Sequence, residues 1–131
     1  MRAFLALAAA AVFSAGPAYA DCSYPAPPDH LPDGNTATLE EMVAAQKAVK
    51  QYDKDINAYV ACIQLERNDA VGKIAKPGET PTADQKKAMA DMERVEAQKH
   101  NAAIDQLQSV ADRFNEQVKV FKAKSADKPK G

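Results

Sequence analysis

The chain has 131 residues, 46% of them apolar and 27% charged, with no tryptophan and a formal net charge of −1. That length holds one small domain with a thin core. The near balance of charge argues against nucleic acid as the main partner.

Residues 1–20 read as a secretory signal peptide. Arg2 gives a short positive start, the run from Phe4 to Val12 is almost wholly apolar, and Ala18 and Ala20 take the −3 and −1 places of an A-x-A cleavage site. The run is too short for a membrane span. Asp21 stands directly before Cys22, where a lipobox needs a small residue, so no acyl anchor is expected. Cleavage after Ala20 leaves 111 residues with a formal charge of −2, destined for the periplasm or the exterior.

Residues 21–37 are expected to be extended. Pro25, Pro27, Pro28 and Pro32 fix φ and bias their predecessors toward polyproline geometry. Pro32-Asp33-Gly34-Asn35 is a turn in which Gly34 or Asn35 takes positive φ. A helical hairpin over 38–124 follows, with helices at about 39–71 and 82–124. Thr38 and Glu41 form a capping box for the first helix. Met42, Val49, Ile56 and Ile63 recur every seven residues, with Tyr52 and Tyr59 three residues after Val49 and Ile56, a coiled-coil-like seam.

Gly72 is placed to cap that helix, and Pro77-Gly78 marks the turn. Thr82 and Gln85 offer a second capping box. On the second helix Leu107, Phe114 and Phe121 recur at seven, flanked by Ile104, Val110 and Val118. Met89, Met92 and Val95 form a shorter stripe, separated from the main one and out of phase with it across the polar interval 96–101. Residues 125–131 are a disordered basic tail.

The expected fold is therefore all-α: an antiparallel two-helix hairpin with a proline-rich strip stapled to it. A connection this short makes the helices antiparallel. A mirror point near residue 76 or 77 would set Val49 against Ile104, Met42 against Ala111, and Ile56 near residue 97. Two cysteines in an exported chain most simply form one disulfide, Cys22–Cys62. Thr38 and Cys62 lie about 36 Å apart along a helix, and sixteen polyproline steps reach roughly 50 Å. The strip can thus run back antiparallel to the first helix, with Tyr24 and Leu31 covering its seam.

Catalytic chemistry finds little support. No Gly-rich elbow or phosphate loop is present, and the mature chain has three serines and two histidines. No cofactor is expected. His100 falls in the column of Leu107, Phe114 and Phe121, near Asp53 by the mirror rule, and reads as a half-exposed histidine at a seam defect; a pH or metal role is the sharper alternative. His30 sits in the proline strip with Asp29 and Asp33, and a metal needs more ligands than that. Five acids and no base occupy 21–46, and five lysines and one acid occupy 119–131. The hairpin brings these segments to one end, where mutual neutralisation is the plain reading and weak contact of the tail with an anionic envelope surface the functional one.

The segments DCSYPAPPDH, DGNTATLEEM, YVACI, HNAAIDQLQ and FNEQVKVFK together resemble a group of small exported proteins of Gram-negative bacteria. The resemblance implies an envelope compartment and no activity. TPTADQ is similar to the Leu-Thr-x-x-Gln opening of periplasmic stress chaperones, with Pro81 in place of the leucine and no second copy. The expectation for function is a non-enzymatic periplasmic hairpin that binds another envelope protein or itself. A holdase-type chaperone is the alternative, and a small metal or pH sensor the second.

Overall fold

The computed structural model describes residues 22–127. The expected signal peptide and the last four residues of the tail lie outside the described residues. Two helices, α1 (Leu39–Ile74) and α2 (Ala83–Ala126), pack against each other, and residues 22–37 run beside them without helix or strand. At 1.5 Å per residue the helices are about 54 and 66 Å long, so the hairpin is a rod.

Both helices begin as the sequence predicts. Glu41 N–H donates to Thr38 Oγ1 (3.2 Å) while Thr38 N–H donates to Glu41 Oε2 (2.7 Å). The Thr38 amide and hydroxyl hold the Glu41 carboxyl below the usual range. Thr82 and Gln85 repeat the arrangement at α2 (3.2 and 2.8 Å). Gln85 also donates from Nε2 to the Ile74 carbonyl (2.8 Å), which ties the start of α2 to the end of α1 and satisfies one of the carbonyls a helix end leaves free.

The turn differs from expectation. Gly72 does not cap α1; the helix runs through it to Ile74, with Ala75 as the cap. Gly78 is the one described residue with positive φ (86°), and Glu79 N–H donates to the Lys76 carbonyl (3.2 Å). This is the pattern of a type II turn with Pro77 and Gly78 at its corners. Ending α1 three residues later moves the hairpin's centre toward residue 79, and each residue of shift moves a partner by two. Ile56 accordingly shares its core cluster with Ala103, and Met42 clusters with Phe114. The centre moves by about two residues, from 76 or 77 to between 78 and 79, so the expected pairings of Ile56 with residue 97, Met42 with Ala111 and Val49 with Ile104 are displaced by about four residues along α2.

The α2 stripe is also continuous, contrary to the sequence reading. Met92, Glu96, His100, Ala103 and Leu107 are all half-buried or buried, so polar side chains hold seam positions where the apolar pattern lapses. The helix continues to Ala126, taking in two residues assigned to the tail, since no proline intervenes before Pro129.

The core is a line of side chains between the helices. Ile56 (0% exposed), Val110 (1%) and Tyr52 (2%) mark its centre. Of the seam residues expected from periodicity, Met42, Tyr52, Ile56, Tyr59, Ile63 and Phe114 are buried; Val49, Ile104, Leu107 and Phe121 are half-buried around them. Ala45 and Ala103 are buried as well, small residues that let the helices approach.

Candidate binding groove

The strip lies along the junction of the two helices. Its half-buried residues from the cysteine onward are Cys22, Pro25, Pro28 and Leu31, with exposed residues between. A burial period of three is that of a polyproline II helix laid on one edge. Cys22 is joined to Cys62 by the disulfide, and its N–H donates to Glu66 Oε1 (2.9 Å), one turn further along α1. Tyr24 packs edge-on against Tyr59, ring centroids 5.0 Å apart at 70°. Leu31 packs with Met42, Ala45 and Phe114.

The far end of the strip grips the other helix. Gly34 N–H donates to Gln117 Oε1 (2.8 Å). The turn itself is held by Asp33, whose carboxylate accepts from the Asn35 amide (2.9 Å) and whose carbonyl accepts from Thr36 and Ala37 (3.1 and 2.8 Å). Neither Gly34 nor Asn35 takes the positive φ expected from the sequence. Glycine is needed there for approach: a Cβ would run into the Gln117 carbonyl and lie 2.8 Å from the Phe121 nitrogen. The strip is thus fixed covalently to α1 at one end and seated on the α2 backbone at the other.

Under the strip, Tyr52 is the most deeply placed polar side chain. No well-formed hydrogen bond reaches its buried hydroxyl. Burial pushes its pKa up to about 12, and the Tyr24 hydroxyl nearby pushes the same way. Burial also raises Tyr59, with Tyr24 and Glu66 adding to it.

Two grooves open on this face. One, about 1070 Å³, runs beside the strip over Ala44, Ala45 and Ala48, with Arg113 and Gln117 on the α2 side. The other, about 500 Å³, lies beyond Cys22, where Ile63, Glu66, Arg67 and Ala70 of α1 face Ala88, Met92, Val95 and Lys99 of α2. Ala45 and Ile63 are five helical turns apart, as are Ala48 and Glu66, Arg113 and Val95, and Gln117 and Lys99, at about 3.6 residues per turn. The two grooves therefore lie along the same face of the inter-helix channel, the first beside the strip and the second past the disulfide, where no described residue of the strip covers it. In the open part the Arg67 Nε is buried without an acceptor, and Val95 remains 42% exposed.

The other expected positions contribute less. His100 is half-buried with a ring nitrogen 3.3 Å from Asn101 Oδ1, while Asp53 is exposed and accepts from Asn57 (3.2 Å). His30 is exposed on the wall of the larger groove. Among the described residues the metal-ligand types that come together are Cys22, Cys62 and Glu66, and the two sulfurs are already bonded to each other. At the lysine-rich end Lys119 pairs with Glu116 on its own helix (2.8 Å). Sequence periodicity did not single out Arg67 or the open groove. Its one trace was the Met89–Met92–Val95 stripe, whose Met92 and Val95 form part of the α2 wall. No helix among the described residues is long and apolar enough to cross a membrane. Compared with protein-family models, curated proteins and solved structures, the chain matches none.

Proposed function

We infer that the chain is a non-enzymatic periplasmic protein that binds another envelope component through the open end of its inter-helix channel. The observation that carries this reading is the apolar floor of Ile63, Ala70, Ala88 and Met92 left uncovered past Cys22, beside an arginine nitrogen with no acceptor. A buried donor without a partner costs about 1–3 kcal/mol, and an incoming acceptor toward which the Arg67 side chain turns recovers it. A larger groove lies beside the strip itself, and the stretch past Cys22 is the one that no described residue of the strip covers. The Cys22–Cys62 bond suits an oxidising compartment.

The test is a photo-crosslinking residue placed at Val95, and separately at Lys54 as an exposed control outside the channel, in cells exporting the protein. A discrete adduct with an envelope component from Val95 and none from Lys54 is the expected result. Equal labelling from both positions, or none from either, removes the reading.

A further inference from the structure

We propose that the open end of the channel binds an extended polyproline-type segment of a partner protein, laid end-on to the strip; this rests on the partner-binding reading above. The strip shows what the channel accepts. It presents Cys22, Pro25, Pro28 and Leu31, every third residue, to the helices. The uncovered stretch continues that interface without a break, because Glu66 belongs to both: it accepts the Cys22 amide and forms part of the open wall. From Ala88 to Lys99 the wall is about 16 Å long, room for roughly five polyproline residues at 3.1 Å each.

The chemistry agrees with the dimensions. A polyproline backbone makes no internal hydrogen bonds, so its carbonyls are free, and one of them can accept from Arg67 on the wall once that side chain turns its buried, unpartnered Nε toward the groove. Proline or aromatic side chains at every third position would sit on Ala70, Ala88 and Met92, where the alanines leave space. Such a segment is already stiff in solution and loses little entropy on docking. A helix, about 10–12 Å across with its side chains, is a poorer match to a channel that the strip already fills as a single extended chain.

The experiment uses residues 21–131 with the disulfide intact. The probe is a fluorescein-labelled peptide Ser-Tyr-Pro-Ala-Pro-Pro, with a control in which the prolines are glycine. Saturable binding is expected, at least about tenfold weaker for the glycine control, a difference of about 1.4 kcal/mol. Amide shifts should appear at Ala70, Ala88 and Val95. Ala88→Tyr, which fills the channel from a half-buried position on its wall, should abolish binding while leaving the helical signal and melting temperature in place. Should that variant unfold, Met92→Gln serves instead, and Arg67→Lys is expected to weaken binding. The proposal is overturned by absence of binding, by binding indifferent to both channel variants, or by shifts confined to Tyr59 and Leu31, which would mean exchange with the strip. It is equally overturned if a chain retaining residues 16–20 is closed to the peptide and shields Met92 from oxidation, since the channel would then belong to the chain's own segment. Peptide failure alongside a persisting Val95 adduct removes only the polyproline assignment; loss of both removes the partner reading as well.

Discussion

Tyr52 carries the clearest single-residue consequence. Its hydroxyl is buried without a well-formed hydrogen bond, so Tyr52→Phe is expected to leave stability unchanged or raise it by up to about 1 kcal/mol, read by urea denaturation. The pH dependence has a definite sign. Burial raises the folded pKa from 10.0 to about 12, so the fold favours the protonated form. Stability from this group is whole below pH 10 and is lost as pH rises through 12, by about 2–3 kcal/mol. Tyr52→Phe should flatten that part of the alkaline fall, leaving a smaller one from Tyr59, whose shift has the same direction. A variant that declines as steeply as the parent between pH 10 and 12 would show the hydroxyl to be solvated. Gly34 is the second such residue. Gly34→Ala forces its Cβ into the Gln117 carbonyl, and the expected cost is about 1–3 kcal/mol, the range for overpacking. Here the sequence misled: a glycine beside asparagine in a proline turn signals positive φ, and only the packing of the turn on α2 reveals that the need is space.

At the scale of elements, the strip is the feature on which the others depend. Two helices joined by a short loop bury one line of side chains, and the strip adds a third layer over Tyr52, Ile56 and Tyr59. Its disulfide closes a loop spanning 40 residues. Removing both sulfurs as Cys22→Ala/Cys62→Ala should cost about 2–5 kcal/mol, with near-ultraviolet tyrosine signals collapsing as Tyr24 leaves Tyr59. A double variant as stable as the parent would mean the strip docks without its staple. The elements themselves were legible because their signals are local: threonine with glutamate or glutamine three residues on, a long stretch without glycine or proline, and prolines spaced along residues 25–32. Their relative register was not. It depends on where α1 ends, and Gly72, a strong local stop, is overridden because the helix gains Gln85 as a partner for its Ile74 carbonyl two residues later. An error of about two residues in the centre of the turn therefore became one of about four residues along the rod.

The whole molecule is unevenly held, and that unevenness bears on function. Full burial is concentrated at Tyr52, Ile56, Ala103 and Val110, beneath the strip. From Ile63 toward the turn the buried residues give way to half-buried ones, Leu65 is 65% exposed, and the channel is open. Local opening is cheapest where buried apolar contacts are fewest. Amide exchange should therefore be slowest around Ile56 and Val110 and become faster toward Ile74 and Ala83. Ile56→Ala, at the best-packed point, should cost about 2–5 kcal/mol and speed exchange along the whole rod, because both helices lose their common anchor. Ala70→Gly, in the open stretch, should cost about 1 kcal/mol, the helix-propensity difference alone, and speed exchange only between about residue 63 and residue 95. If instead both substitutions accelerated exchange everywhere to the same degree, the rod would be one cooperative unit. Its open end would then be as rigid as its clasped end, and a partner docking there could not be accommodated by local adjustment of the helices.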